Sequence, residues 1–199
     1  MVSADCLGGV NPFCPFSGAR ALAAGAPDAG SLDPACACQR LHGADFARPD
    51  LQLLADNWEV IRDEALHLSS LQAIKAPELH NDIGFNSFFK YGWKRFYLKW
   101  YEDGHPSAAE LCPKTTALVR SLDSVKAAMY TELPPGSRLV KHRDPFAGSL
   151  RYHLGLITPN DDRCFIDVDG ERYSWRDGEG VMFDETYIHY AENKTEENR

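Results

Sequence analysis

The chain has no long hydrophobic run and no excess of basic residues. No segment of its 199 residues approaches the roughly 18 consecutive apolar residues that a membrane-spanning helix needs, so we expect no membrane crossing. Lysine and arginine number 21 against 29 aspartate and glutamate, which gives a formal net charge of −8. Because general nucleic-acid-binding proteins carry a basic face, this composition predicts no nucleic-acid partner.

The sequence predicts neither a secretory signal nor a structural zinc site built from cysteines. No basic and then apolar segment precedes its six cysteines, and Cys36 and Cys38 have no second cysteine pair or histidine pair beside them. We therefore interpret the cysteines as reduced thiols and expect a cytoplasmic location. Hydrophobic residues make up 44% of the chain, which is enough for a substantial core and excludes general disorder.

Residues 1–45 differ in composition from the rest of the chain. They contain ten alanines, six glycines and four prolines, and they show no sustained period of a helix or a strand. This composition is typical of a disordered, low-complexity leader rich in alanine and glycine. We expect one folded domain over residues 46–199.

Two helices are predicted early in this domain. Apolar residues between Leu51 and Leu68 recur at steps of three and four, which predicts one amphipathic helix. A second helix is expected from Ser107 to about Leu122, with Ser107 as its N-cap and Glu110 completing a capping box.

Short strands dominate the remaining sequence. Residues 150–156 alternate between apolar and polar side chains, and Asp169-Gly170 and Asp177-Gly178 are turn signals between such runs. Many short strands after one or two helices predict a mainly β fold. We expect an antiparallel jelly roll, the double-stranded β-helix of cupin-like proteins, with N-terminal helices packed outside it.

Three residues of the strand-rich half fit an iron(II) site. His142 and Asp144 are separated by one residue and point the same way from an extended segment, and His189 lies in another predicted strand. Two imidazoles and one carboxylate on one face leave the other positions of iron open for oxygen and a substrate-derived ligand. Because the pattern is loose, surface or core histidines are the alternative interpretation.

Two arginines are candidates to hold a carboxylate near this metal. Arg199 follows His189 by ten residues, and Arg151 shares one face of its strand with His153. A guanidinium binds a carboxylate through two parallel hydrogen bonds, as the far carboxylate of a 2-oxo acid would require. Polar residues on the inner face of a barrel indicate a lined cavity, whereas a surface strand arginine is the alternative for Arg151.

Longer stretches of the sequence resemble a known family. Residues 139–156 (LVKHRDPFAGSLRYHLGL) and 183–189 (FDETYIH) are similar to the aspartyl/asparaginyl β-hydroxylase family. Residues 57–64 (NWEVIRDE) and 85–90 (FNSFFK) make the bacterial lipid A acyl-chain 2-hydroxylases the closer match within it. The similarity covers about three quarters of the chain and does not include the leader.

The resemblance implies a double-stranded β-helix dioxygenase that uses Fe(II), 2-oxoglutarate and O2. It implies that His142 and His189 bind the iron. In the animal peptidyl hydroxylases of this family a glycine stands at the position of Asp144, so the resemblance by itself does not make this aspartate a ligand. The implied contacts to 2-oxoglutarate are Arg151, His153 and Arg199.

The lipid A branch of the family implies hydroxylation at C2 of a fatty acyl chain of lipid A or a lipid A precursor. Lys94, Arg95 and Lys99 are interleaved with tryptophan and tyrosine, and such side chains favour the membrane interface. We therefore expect these three residues to contact lipid phosphates during peripheral contact with the inner membrane. A half-buried strand with solvated cations is the alternative interpretation.

Other functions stay open at this point. One is a peptidyl aspartyl/asparaginyl hydroxylase, which performs the same chemistry on a protein. Another is a cupin-like binding module without turnover or a truncated remnant, because the chain ends at Arg199, before the strand that the family leads us to expect. We accordingly expect the dioxygenase domain to lack its C-terminal strand.

Overall fold

The fold is known from a computed structural model, which describes residues 2–7, 41–42, 49–70, 94–101, 103–144 and 149–199. The helices in these ranges are α1 (Pro49–Asp56), α2 (Trp58–Ser70), α3 (Pro106–Leu111) and α4 (Pro113–Arg120). The strands are β1 (Val2–Leu7), β2 (Leu41–His42), β3 (Lys94–Trp100), β4 (Asp103–Gly104), β5 (Val125–Glu132), β6 (Arg138–His142), β7 (Ser149–Leu154), β8 (Cys164–Val168), β9 (Glu171–Ser174), β10 (Gly180–Phe183) and β11 (His189–Asn193).

The strands form two antiparallel sheets. The larger sheet has the order β2-β10-β7-β1-β5-β3-β4, and the smaller one has the order β6-β11-β8-β9. One buried apolar cluster joins the larger sheet to the helices, and a second joins β10 to the smaller sheet. This layering confirms the prediction of a mainly β jelly roll with helices outside it.

The two faces of β7 and β10 belong to different layers. Tyr152 and Leu154 of β7 and Met182 of β10 belong to the cluster on the helix side. Val181 and Phe183 of β10 belong to the cluster between the sheets. Because side chains alternate along a strand, this arrangement places Arg151 and His153 of β7 on the inner side, between the sheets.

The single helix predicted between Leu51 and Leu68 is instead two helices. Asn57 lies between α1 and α2, and its side-chain amide donates a hydrogen bond to the carbonyl of Leu53 at 2.8 Å. The amide thereby satisfies a carbonyl at the end of α1 that has no partner within the helix. The apolar stripe continues across the break, since Leu54 and Ile61 are both fully buried.

The second predicted helix is also divided, and its predicted cap is wrong. Helix α3 begins at Pro106, and His105 is its N-cap without a side-chain hydrogen bond, so Ser107 does not cap it. A new helix starts at Pro113. Proline has no N–H for a continuous helix but is well suited to the first position of a helix, which explains both starts.

The β8–β9 hairpin confirms the turn signal at Asp169-Gly170. Asp169 has a φ of +50° and Gly170 a φ of +93°, and two consecutive positive φ angles define the tight turn that suits twisted antiparallel strands. The turn pairs Val168 with Glu171 across the hairpin.

Strands β1 and β2 lie within residues 1–45, which the sequence predicts to be a disordered leader. β1 pairs with β5 on one side and with β7 on the other, so it is an internal strand of the larger sheet. Local composition does not report a pairing with strands so distant in sequence, which is why the prediction differs here. The rest of the predicted leader, from residue 8 to 40, lies outside the described residues.

None of the helices that the structure describes is long and apolar enough to cross a bilayer. Among the described side chains, Cys112 and Cys164 are both free and buried. Burial raises the pKa of the Cys112 thiol to about 12, and the nearby Glu64 carboxylate raises it further. These two thiols therefore stay protonated at neutral pH.

Candidate metal centre

Three polar side chains meet where β6 ends and β11 begins. His142 closes β6, His189 opens β11, and the two residues are directly opposite each other in the antiparallel pair. Their ring centroids are 4.1 Å apart, and Oδ1 of Asp144 lies 3.8 Å from Nε2 of His142. One possible ligand atom from each residue lies within 4.8 Å of the others. The structure thus brings together the three residues of the predicted metal site.

The main chain orients both imidazoles. Nδ1 of His142 lies 2.6 Å from the carbonyl oxygen of Val140, and Nδ1 of His189 lies 2.9 Å from that of Tyr187. Because a carbonyl only accepts hydrogen bonds, each Nδ1 carries the proton and each Nε2 keeps its lone pair. Metal-binding histidines in proteins are held in this way.

Burial keeps both imidazoles neutral. It lowers the pKa of His189 to about 4, and the neighbouring His142 lowers it further, while the hydrogen bond to Tyr187 acts in the opposite direction. Burial also lowers the pKa of His142, with the Arg151 guanidinium as a smaller cause. At neutral pH a metal ion therefore need not displace a proton from either ring.

Arg151 contacts the third member of the cluster. Its Nη2 donates a hydrogen bond to Oδ2 of Asp144 at 2.9 Å. The backbone N–H of Asp144 donates to the carbonyl oxygen of Glu185 at 3.0 Å, which ties the segment after β6 to the loop between β10 and β11. The Asp144 side chain and backbone are thus both fixed.

Glu185 is a buried residue of this site that no spacing pattern in the sequence predicts. Its carboxylate accepts hydrogen bonds from Ser149 and from Nε and Nη2 of Arg151. Burial raises the pKa of Glu185, while the Arg151 cation opposes that rise. The sequence offers one signal that could have identified Glu185, which is its position in the motif FDETYIH, four residues before His189.

A line of buried side chains leads from the cluster into the space between the sheets. The ring of Phe183 lies 5.4 Å from that of His189 and 5.0 Å from that of His153. The ring of Trp175 follows at 6.0 Å from His153, and the guanidinium carbon of Arg199 lies 3.1 Å from the centroid of Trp175. His153 therefore lies between the triad and Arg199.

His153 and Arg199 are both buried but differ in charge. Burial, with the cations of Arg199 and Arg151 as smaller causes, lowers the pKa of His153 well below its usual value, so the ring is neutral. Burial also lowers the pKa of Arg199 to about 9, which leaves it a cation at neutral pH. Among the described residues, Nδ1 of His153 has no hydrogen-bond partner.

The backbone fixes Arg199 beside the end of β5. Arg199 and Leu133 exchange two hydrogen bonds, of 2.7 and 3.1 Å, through their backbone N–H and carbonyl groups. The side-chain amide of Asn193 donates to the carbonyls of Leu133 and Glu197 and so holds the turn that returns the chain after β11. Arg199 is only 4% exposed.

The three predicted lipid-binding cations are divided between the two faces of β3. Across the larger sheet, His153 of β7 is opposite Ser3 of β1, and Ser3 is opposite Met129 of β5. Thr131 lies two residues after Met129 on the same side of β5, and it is opposite Arg95 of β3. Directly opposed residues share a face of a sheet, so Arg95 lies on the same inner face as His153. Arg95 is 3% exposed.

The two lysines lie on the other face of β3. Lys94 pairs with Glu132 at 3.2 Å. Lys99 opposes Ala128, which belongs to the cluster on the helix side. The structure therefore brings Arg95, but neither lysine, to the inner face that carries His153.

Comparisons with known proteins show which family the chain resembles. A family model described as aspartyl/asparaginyl beta-hydroxylase matches residues 55–199. The ornithine lipid ester-linked acyl 2-hydroxylase of Rhizobium tropici is 37% identical over 108 residues, which are 54% of this chain and 38% of that protein. The aspartyl/asparaginyl beta-hydroxylase of Mus musculus is 30% identical over 141 residues, which are 68% of this chain and 18% of that protein. The chain thus spans less than half the length of these relatives.

A solved structure supports the fold. The prolyl-4-hydroxylase of Pseudomonas putida superimposes with a TM-score of 0.52 over 80% of this chain and 86% of that one. The two sequences are only 15% identical, so this likeness concerns the jelly-roll fold alone. Because the family model covers most of the chain, including His142, Asp144 and His189, the chain belongs to the aspartyl/asparaginyl β-hydroxylase family.

Proposed function

We propose that this protein is an Fe(II)- and 2-oxoglutarate-dependent dioxygenase that hydroxylates C2 of a fatty acyl chain of lipid A or a lipid A precursor. The observation that carries the proposal is the convergence of His142, Asp144 and His189, with a buried arginine further along the space between the sheets. Two neutral imidazoles and one carboxylate on one face are the ligand set of oxygen-activating iron(II) enzymes. The donor set therefore fits the metal that the family uses.

In this proposal the residues of the chain bind the metal ion and the co-substrate and hold them in position. Bound Fe(II), with 2-oxoglutarate and O2, supplies the oxidising power for hydroxylation, and 2-oxoglutarate is converted to succinate and CO2. Arg199 holds the far carboxylate of 2-oxoglutarate, because a buried cation gains most from an anionic partner. His153 lies beside the co-substrate, and the rings of Phe183 and Trp175 exclude water from this space.

Arg151 mainly contacts carboxylates of the protein itself. Its Nε contacts Glu185, and its Nη2 contacts both Glu185 and Asp144. The donors Nε and Nη2 of Arg151 are therefore directed toward carboxylates of the protein rather than toward 2-oxoglutarate.

The proposed lipid substrate is supported by the acyl 2-hydroxylase of Rhizobium tropici and by Arg95. Arg95 lies three strand spacings from β7, about 14 Å, on the same inner face. An extended substrate can reach from the metal centre to this guanidinium, which would bind an anionic headgroup. We place the enzyme peripherally at the cytoplasmic face of the inner membrane, where Lys94 and Lys99 would contact lipid phosphates.

A peptidyl aspartyl/asparaginyl hydroxylase is the second candidate, because the mouse relative of that name matches over 68% of this chain. A panel of lipid A precursor, ornithine lipid and aspartate-containing peptide, with succinate release as the readout, separates the two. Succinate formation coupled to the peptide alone would overturn the lipid proposal.

The first test is an anaerobic titration of the protein with Fe(II) and 2-oxoglutarate. We expect the metal-to-ligand charge-transfer absorption of an iron-bound 2-oxo acid, and its loss in His142→Ala and Arg199→Ala. The matched controls are His67→Ala and Arg120→Ala, since both side chains are exposed on helices.

The absence of this band in a folded wild-type protein would contradict the proposal. It would favour a cupin-like binding module without turnover, or a remnant of the enzyme. Retention of the band in Arg199→Ala would instead contradict the role of Arg199 alone.

A further inference from the structure

The hydrogen bonds around Glu185 divide the two oxygens of Asp144 between different partners. Oδ2 of Asp144 accepts from Nη2 of Arg151 at 2.9 Å, while Oδ1 lies 3.8 Å from Nε2 of His142. The oxygen that faces the histidines is therefore not the one that Arg151 holds. A metal ion between the histidines would meet one oxygen of this carboxylate.

Glu185 is the reason that Arg151 reaches only one oxygen. Nε and Nη2 of Arg151 both donate to Oε2 of Glu185, so Nη2 is shared between Glu185 and Asp144. A guanidinium beside a single carboxylate prefers the fork geometry, in which two N–H groups bind both of its oxygens. Without Glu185, Arg151 would adopt this geometry with Asp144 and compete with the metal for Oδ1.

Glu185 is itself fixed in place. Its other oxygen, Oε1, accepts a hydrogen bond from Ser149 at 2.5 Å, and its residue is 2% exposed. Its backbone carbonyl accepts the N–H of Asp144 at 3.0 Å. Glu185 therefore constrains Asp144 through the backbone directly and through Arg151, and its carboxyl group also interacts with that of Asp144.

We propose that Glu185 is a positioning residue, which acts through Arg151 so that Asp144 offers a single oxygen to the metal. This inference rests on the proposed function, because it assumes that the triad binds a metal ion. It also gives Arg151 a role in ordering the metal centre in addition to any contact with 2-oxoglutarate.

Cobalt(II) is the probe that tests this role without turnover. We would titrate the full chain with Co(II) and measure the Kd together with the visible absorption of the bound ion, which reports its coordination. Loss of residues that orient metal ligands costs about 10- to 100-fold in affinity, and we expect that loss and an altered spectrum in Glu185→Gln. Glu171→Gln, an exposed carboxylate on β9, is the matched control.

A double-mutant comparison separates positioning from general destabilisation. If Glu185 acts through Asp144, then Glu185→Gln weakens Co(II) binding in the wild-type background but has little further effect in Asp144→Ala. Equal losses in both backgrounds, or an unchanged Kd and spectrum in Glu185→Gln, would overturn the inference.

Two further results complete the test. If Glu185→Gln does not fold, then Ser149→Ala, which removes only the hydrogen bond to Oε1, must weaken Co(II) binding by a smaller factor, and an unchanged Kd again overturns the inference. A folded wild-type protein that does not bind Co(II) would contradict the proposed function as well, whereas normal binding with an unaffected Glu185→Gln contradicts this inference alone.

Discussion

At the scale of single residues, the metal centre depends on keeping His142 and His189 uncharged. Each ring donates its Nδ1 proton to a carbonyl two residues earlier in the chain. His189 is buried and His142 is half-buried. The closeness of the two rings adds a further penalty for protonating His189. Because the rings are neutral, each can bind a metal ion without first losing a proton. The same neutrality makes the stability of the fold sensitive to acid.

We predict that acid destabilises the metal-free protein through His189. Its pKa is about 4 in the folded protein against an ordinary 6.5, so the unfolded chain binds more protons between these two values. The contribution to stability is complete above pH 6.5 and is lost as the pH falls toward 4. A shift of this size corresponds to about 3 kcal/mol.

The measurement is the free energy of urea unfolding between pH 4 and 7 in the presence of a chelator. We expect the slope against pH to be smaller in His189→Gln than in the wild type. His67→Gln, on the exposed side of α2, serves as the control and should keep the wild-type slope. Parallel slopes for wild type and His189→Gln would contradict the prediction.

The triad and Glu185 differ in how far the sequence reveals them. His142 and Asp144 are identifiable because their spacing places both side chains on one side of a strand, and the family motif points to His189. Glu185 carries no such local pattern, since its role depends on the fold placing its loop against Arg151. A carboxylate that supports another residue can be assigned only after its partners are located in space.

At the scale of elements, α2 stabilises the start of α4. The carboxylate of Glu64 on α2 accepts the backbone N–H groups of Lys114 and Thr115 at 3.0 and 2.8 Å, together with the hydroxyl of Thr115 at 2.6 Å. The N–H groups of the first helical turn have no partner within the helix, and a negative charge there is favourable. Glu64 thus performs the capping function that the local sequence of α4 does not supply.

Replacing Glu64 by alanine should lower stability by about 1–2 kcal/mol, because two backbone donors lose their acceptor. Urea denaturation monitored by circular dichroism measures the change. The control is Asp63→Ala on the same helix, since Asp63 is exposed and forms an ion pair with the adjacent Arg62. Similar losses for both variants would show that Glu64 contributes no specific cap.

The helix boundaries illustrate which features of an element a sequence predicts. The periodic apolar stripe correctly identified the buried face of α1 and α2, because burial depends on periodicity, which continues across a break. It did not identify the break at Asn57, where a side-chain amide ends one helix within an otherwise continuous pattern. Pro113 carried the signal for the other break, since it cannot donate the N–H that a continuous helix requires.

At the scale of the whole molecule, the larger sheet is completed by β1. This strand lies between β5 and β7, and its residue Val2 opposes both Tyr130 and Leu154. An internal strand uses its N–H groups in the ladders on both sides. Within the larger sheet, β5 and β7 are therefore not direct neighbours, and β1 provides the hydrogen bonds between them.

We predict that Ala4→Pro lowers the thermal stability of the whole domain. Proline removes one N–H from a central ladder and leaves a buried carbonyl of β5 or β7 without its donor, at a cost of about 2 kcal/mol. Ala4→Ser keeps the N–H and is the matched control. Equal melting temperatures for the two variants would show that β1 does not contribute to the stability of the sheet.

The position of β1 also affects the order in which the strands can pair during folding. During synthesis this strand is made more than a hundred residues before either of its partners, so it cannot be incorporated until β5 and then β7 have been produced. The entropy lost on closing a loop grows with the length of the loop, and pairings between distant segments slow folding. β1 therefore waits for both of its partners, and its place in the order of assembly differs from its place in the order of translation.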